Sequence, residues 1–404
     1  MNKTLLNTYQ QQMKAALENI LHFWMHYTKD ATNGGFYGKV NNDNEPDIHA
    51  DKGVVMHARI LWTFAAAFRY THNKEHKDMA KYAYDYLLKN FKDETYGGVY
   101  WSIDAAGKMK EGKKQIYGLA FVIYALSEWH AASNDETALE VAIHLYQTIE
   151  EHSFDPVRNG YEEAFTRDWQ PILDLRLSAK DVNEKKTMNT HLHIIEAYAN
   201  LYKQWPDAVL KEKIINLLHL FDEHFIDKSS AHLRLFFDEQ WKENDCLISY
   251  GHDIEASWLL QQCAEITGEN HWIAMMQQHA LQIAKATLNG LDTDGGLWYE
   301  YDKVEKHLIK EKHSWPQAEA MIGFMNAYQL TRDEQWLQHT YSSWQFVENN
   351  LLDKANGEWF WGVDAHHHIM ADKDKAGFWK CPYHNSRACL ELIARINQLV
   401  SEED

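Results

Sequence analysis

Six residues suited to binding a polar substrate or moving its protons recur at one phase of a repeat: Arg59, Tyr117, His193, His252, Trp315 and His384. Each follows a short marker made of an Asp, then Gly or Asn with Gly, then aromatics. The markers begin at Asp30, Asp93, Asp155, Asp227, Asp292 and Asp353, at steps of 63, 62, 72, 65 and 61 residues. The fourth copy has lost its glycines and keeps Leu235-Phe236-Phe237. The chemical residues come 29, 24, 38, 25, 23 and 31 residues after their markers. In a closed repeat, one phase means one level of the ring. The six are therefore predicted to converge on the mouth of one cavity, where ligand sites are expected.

The clusters around them carry different chemistry. In Met188-Asn189-Thr190-His191-Leu192-His193-Ile194-Ile195-Glu196, two histidines stand two apart. Residues i and i+2 do not share a helix face, so one His is expected at the cavity and the other as a hydrogen-bonded packing residue, not a metal pair. In Gly251-His252-Asp253-Ile254-Glu255, His252 and Glu255 are i, i+3 neighbours. A carboxylate there would orient the imidazole and raise its pKa, as a proton-transfer His requires. A helix N-terminus that favours acids accounts equally for Asp253 and Glu255, and both readings stay open. Trp315-Pro316-Gln317-Ala318-Glu319 and Trp379-Lys380-Cys381-Pro382-Tyr383-His384-Asn385 each place a Trp ahead of a helix, where it can stack on a sugar ring. His366-His367-His368 follows Trp359-Phe360-Trp361 and reads as a solvated turn rather than a metal site.

Several reactions lack their motif. No G-x-S-x-G elbow, Walker loop or GxGxxG is present. Glycoside hydrolysis needs two carboxylates across the bond, and Glu255 with Glu319 or Asp181 would be the candidates. A cavity dominated by histidines instead suits proton abstraction beside a carbonyl. A sugar-binding protein without catalysis would use the tryptophans but not three histidines.

A period of about sixty residues over the whole chain means a repeat architecture. Between markers the apolar spacing is helical. Examples are Ile60-Leu61-x-x-Phe64-Ala65-x-x-Phe68 and Ile194-Ile195-x-x-Tyr198-Ala199, and further stretches are 77–91, 116–132, 137–151, 211–225, 252–267, 273–288, 316–329, 335–350 and 384–400. Two helices per unit over six units predict an all-α fold, an (α/α)6 barrel of about twelve helices in two concentric rings. The Gly-rich aromatic segments read as short hairpins at one rim. Pro316 and Pro382 sit where helices begin. Residues 1–404 are expected to form a single catalytic domain.

The formal charge of −19 disfavours nucleic acid and anionic membranes and favours a neutral substrate. Cys246, Cys263, Cys381 and Cys389 contain no CxxC pair. The N-terminal segment has no apolar signal core, and no apolar run reaches the roughly 18 residues of a membrane span. A cytoplasmic location is expected. A monomer is also expected, with dimerisation through an exposed helix face as the alternative.

With these residues in place the chain resembles the N-acylglucosamine 2-epimerase superfamily, most closely its cellobiose 2-epimerase branch, nearly end to end. The segments that carry the resemblance are Ala58-Arg59-Ile60-Leu61-Trp62-Thr63-Phe64, Tyr124-Ala125-Leu126-Ser127-Glu128-Trp129, Met188–His193, Gly251–Trp258, Trp315–Ala320 and Phe378-Trp379-Lys380 with Pro382–Asn385. A local departure is Cys381, where a relative carries glycine. The resemblance implies an epimerase without cofactor or bound metal, acting on the reducing-end sugar of a β-1,4-linked disaccharide. It makes His252 and His384 the opposed proton-transfer pair at C2, His193 the helper in ring opening and Arg59 the support of the oxyanion. It further implies that Glu255 orients His252, that Tyr117, Asn189, Asp181 and Glu319 bind the sugar, and that Trp315 and Trp379 stack on it. A monosaccharide 2-epimerase or mannose-type isomerase is the alternative within the superfamily, and a glycoside hydrolase the alternative outside it.

Overall fold

Twelve α-helices account for most of the described residues, 3–244 and 246–402, in the computed structural model. In chain order they are α1 (Lys3–His26), α2 (Val54–Thr71), α3 (Lys74–Phe91), α4 (Ile116–Ser133), α5 (Glu136–His152), α6 (Met188–Gln204), α7 (Ala208–Leu220), α8 (Tyr250–Thr267), α9 (Asn270–Thr287), α10 (Ser314–Thr331), α11 (Glu334–Asn350) and α12 (Tyr383–Ser401). The even-numbered helices pack on one another in sequence, and α12 returns to α2, closing an inner ring. The odd-numbered helices lie outside, each against an inner partner. The first helix of the chain, α1, packs on the last, α12. This is the expected (α/α)6 barrel.

Sequence separates the two rings. An inner helix meets apolar neighbours all round, and α4 buries every residue from Ile116 to Trp129. An outer helix needs one apolar stripe, and α3 buries Met79, Ala83, Tyr86 and Leu87 along one face. Helix α1 is not among the stretches read as helical above, although its buried Leu6, Tyr9, Met13, Leu17, Ile20 and Trp24 keep the three-to-four spacing. The stretch read as helix over 211–225 finishes in one π-helical turn, Phe221–Phe225.

The marker Asp residues prove to be half of a buried ion pair. Asp30 accepts from the amides of Thr32 and Asn33 at 2.9 Å, closing its turn. Lys52, just ahead of α2, reaches back to Asp30 at 2.8 Å and to the carbonyl of Gly34 at 2.7 Å. The same bridge recurs as Lys114–Asp93 at 2.8 Å, Lys186–Asp155 at 2.9 Å, Lys312–Asp292 at 2.7 Å and Lys375–Asp353 at 2.6 Å. In the fourth copy, where the glycines are lost, Asp227 holds Ser229, Ser230 and Arg234 instead. None of these lysines stands out in the sequence, because isolated Lys is usually a surface residue.

Hairpins follow the markers, as in Ser102–Ile103 with Met109–Glu111 and Glu300–Asp302 with His307–Ile309. Each hairpin region also pairs with the strand that leads into the preceding inner helix. Lys52–Gly53 pairs with Ser102–Ile103, Lys114–Gln115 with Ala164–Phe165, and Lys186–Thr187 with Phe236–Phe237. The fourth residue of several inner helices then caps a marker backbone amide: His191 takes that of Tyr161 at 2.9 Å, Asp253 that of Leu233 at 2.8 Å and Gln317 that of Leu297 at 2.6 Å. These links bring the N-termini of the inner helices to one rim. They also make His191 the packing histidine of its pair.

Candidate active site

Inner-helix N-termini direct their side chains into a cavity of about 390 Å³. Of the residues predicted for the site, Arg59, Tyr117, Asp181, Asn189, His193, His252, Glu255, Trp315, Trp379 and His384 line it, and Glu319 does not. The single level expected from the repeat resolves into two tiers. Tyr117, Asn189, Trp315 and His384 are second residues of their helices and His252 is a third, whereas Arg59, His193 and Glu255 are sixth. Four residues at about 1.5 Å rise set the tiers roughly 6 Å apart along the axis.

Trp315 gathers the two histidines proposed for proton transfer. Its ring centre lies 4.8 Å from that of His252 and 5.5 Å from that of His384. Gly251 makes this packing feasible, since a Cβ there would come within 2.5 Å of the Trp315 ring. The Nδ1 of His252 meets Ser249 Oγ at 2.8 Å. That of His384 meets Glu319 Oε1 at 2.7 Å, and that of His193 meets Glu196 Oε2 at 2.8 Å. With Nδ1 engaged in all three, Nε2 is the nitrogen left for substrate. A carboxylate acceptor keeps the proton on Nδ1 of His193 and His384, so their Nε2 lone pairs can act as bases.

Burial dominates their titration. It takes His252 down to about 3, helped by the positive charge of Lys180. Burial, then Arg59 and Arg387, hold His384 well below its ordinary value. Burial also lowers His193, against the pull of Glu196. A His252 raised by Glu255 is therefore overturned. Glu255 contacts Arg387 at 2.7 Å and stands 4.0 Å from His384, while His252 turns to Ser249. The i, i+3 logic applied to His252 and Glu255 instead holds for His193 and Glu196, which the same reasoning would have found.

Beneath the histidines lies a buried charge cluster built on Arg387 of α12. Its guanidinium donates to Glu255 and Glu319 at 2.7 Å each and to Glu196 and the Tyr383 hydroxyl at shorter range. Glu319 also accepts from Trp258 Nε1 at 3.0 Å. It supports His384 from behind and is fully buried, which corrects its expected role as a sugar ligand. Burial would raise Glu196, but Arg387 and the hydrogen bond from His193 hold it at about 2. Burial and neighbouring Glu319 push Glu255 up to about 8, against Arg387. The pair Glu255–Glu319 thus shares a proton at neutral pH. Ligand atoms of Glu255, Glu319 and His384 lie within 4.8 Å of one another, a spacing a metal could use. Arg387 donates to both carboxylates, so a cation there would face a guanidinium, and the cluster does not fit a metal.

Arg59 is 3% exposed and donates to Tyr117 Oη at 2.8 Å. Its guanidinium lies 4.1 Å from the Phe121 ring centre and its Nη1 is 3.9 Å from Cys381 Sγ. Trp379 packs edge-on to Tyr117 at 6.0 Å. The segment 175–184 contributes Leu175, Arg176, Lys180 and Asp181 to the cavity wall. Asp181 accepts from the amide and hydroxyl of Ser178 at 2.8 Å, and Lys180 is tied to Tyr299 and to Glu300 at 3.3 Å.

Residues 8–388 match the family model for N-acylglucosamine 2-epimerase. The chain belongs to that family. A cellobiose 2-epimerase of Bacteroides fragilis is 47% identical over 384 residues, covering 95% of this chain and 98% of the relative. Another, from Dictyoglomus turgidum, is 38% identical over 378 residues, covering 93% and 96%. The solved structure of cellobiose 2-epimerase from Bacillus thermoamylovorans B4167 superposes with a TM-score of 0.91 at 39% identity, covering 96% of this chain and all of that one. Membership makes the chain an enzyme of the isomerase class, a carbohydrate epimerase. Among the described residues no helix is long and apolar enough to cross a membrane.

Proposed function

We propose that this epimerase reversibly inverts C2 of the reducing-end glucose in β-1,4-linked disaccharides such as cellobiose, lactose and mannobiose, giving mannose at that end. The observation that carries the reading is that His252 and His384 both pack on Trp315 and line one cavity, with Nδ1 of each engaged by Ser249 or Glu319. The names of the relatives at 47% and 38% identity support the substrate.

The open-chain aldehyde is the reacting form, and His193 assists ring opening. One imidazole Nε2 takes the C2 proton. The C2–H electrons form the C1=C2 bond, and charge moves onto O1 of an enediolate. Arg59, held by Tyr117, balances that charge, and such preorganised groups typically contribute about 3–4 kcal/mol. The other imidazole returns a proton to the opposite face of C2. Burial disfavours its charged form in the empty site, and the negative charge of the enediolate beside it favours that form during turnover. Each turnover exchanges the protonation states of His252 and His384, which suits a reversible reaction. Trp315 and Trp379 form stacking walls, Asn189 and Asp181 offer hydrogen bonds to hydroxyls, and no step uses a cofactor.

The test is NMR of purified, chelator-treated protein with cellobiose in D2O. A mannose-type reducing end carrying deuterium at C2 supports the proposal, and His252→Ala and His384→Ala should each abolish it while the fold persists. Activity on free mannose or N-acetylglucosamine alone would move the assignment to monosaccharides. Release of glucose from cellobiose would move it to hydrolysis.

A further inference from the structure

Glu358 occupies a glycine position. In the first three markers the second residue of the Gly pair is Gly35, Gly98 or Gly160, with φ of +66°, +66° and +86°. The marker amide bonds back to its carbonyl at 2.9, 3.0 and 2.9 Å. The sixth copy keeps the turn, Asp353 N to Glu358 O at 2.9 Å, yet Glu358 adopts φ +65° with a full side chain. Non-glycine residues hold this conformation where surrounding contacts over-determine it, and such places cluster at functional sites. In the first and third copies a side chain would strike an aromatic ring, at 2.4 Å from Tyr86 for Gly35 and 2.5 Å from Trp241 for Gly160, and the fourth copy carries His232 at this place without a positive φ.

In the sixth copy the side chain turns inward and is fully buried. Its Oε2 accepts from Trp24 Nε1 of α1 at 2.5 Å. Its Oε1 accepts from the amide of Trp359 at 2.8 Å, from Lys380 Nζ at 2.9 Å and from Asn385 Nδ2. Lys380 and Asn385 bracket the segment that ends in His384, and both line the cavity. One carboxylate therefore grips that segment at both ends and, through Trp24, joins it to the first helix of the chain.

We propose that Glu358 is a positioning residue for His384, trading an unstrained glycine turn for a fixed imidazole. The inference rests on the epimerase reading for its kinetic arm only. Glu358→Gly, which suits the turn, is expected to lower kcat at least tenfold with KM within twofold. Glu358→Gln keeps the oxygen that faces Lys380 and Asn385, loses the bond to Trp24, and should recover kcat to within about threefold. Trp24→Phe, which cuts only the α1 side, should lower Tm and leave kcat unchanged. To separate position from simple destabilisation, Glu358→Gly/Lys380→Met removes the buried unpaired cation, and its Tm should rise relative to Glu358→Gly while kcat stays low. The arm independent of activity is the NMR signal of the His384 ring, expected to shift in Glu358→Gly and not in Trp24→Phe. Wild-type kcat per folded molecule in either glycine variant, or an unmoved His384 signal, overturns the proposal. An inactive wild type with a shifted His384 signal would overturn the epimerase reading and leave the positioning role standing.

Discussion

Replacing Glu319 by Gln removes the negative charge behind His384 while keeping its size. When His384 carries the proton taken from C2, its Nδ1 lies 2.7 Å from Glu319 Oε1. Two unit charges about 4 Å apart interact by about 4 kcal/mol at the effective dielectric of a partly buried site. Arg387 shares the same oxygen at 2.7 Å and offsets part of that attraction, which leaves roughly 2–4 kcal/mol. At about 1.4 kcal/mol per decade, kcat should fall by roughly 30- to 1000-fold. Glu255→Gln is the matched control. Burial raises both carboxyls of the pair. Glu319 faces His384, Arg387 and Trp258, whereas Glu255 faces Arg387, so the shared proton is assigned to Glu255, and an amide reproduces that uncharged form. Its loss should stay under about tenfold at pH 7, and any activity change tied to ionisation near pH 8 should vanish. The assay is C2 deuterium incorporation followed by NMR across pH 6–9. A Glu319→Gln enzyme within threefold of wild type, or a Glu255→Gln enzyme equally damaged, would refute the assignment of charge in this cluster.

Trp379→Ala should raise KM with little change in kcat, and an unchanged KM in steady-state kinetics would count against stacking. Lys52→Met leaves Asp30 buried without its cation, a loss of about 3–5 kcal/mol. Urea denaturation should show it, and adding Asp30→Asn should recover part. Stability should peak near pH 6.5. His57, His191 and His252 have an ordinary value of 6.5 and are taken by burial down to about 3. Between those values the unfolded chain binds more protons, so stability drops as pH falls. Burial raises Glu255 to about 8 and Glu163 to about 7 from 4.5, so the folded state binds more protons there and stability drops as pH climbs toward 8. A Tm still rising from pH 6.5 to 8 would contradict this balance.

Much of the fold was legible because a repeat states its information six times. Period, helical spacing and glycine markers predict the two rings, although α1 escaped notice for want of a marker ahead of it. The cavity lining was legible for the same reason: phase in a closed repeat is position on a ring. Local neighbours were legible in kind but not in choice. The i, i+3 argument suits both His252–Glu255 and His193–Glu196, and only the second pair is in contact. Arg387 and Glu358 carried no signal beyond being single charged residues within or beside apolar segments.

Sequence alone thus determined the architecture and which helix ends face the cavity, since periodicity acts over neighbouring residues and survives any detail of packing. Only the tertiary structure decided which acid supports which imidazole. Glu319 meets His384 across 65 residues and Arg387 meets Glu196 across 191, and no spacing along one helix encodes a contact between two. It also decided the protonation states. An imidazole at the wall of a buried cavity loses the water that would stabilise its charge, and that loss depends on everything packed around it.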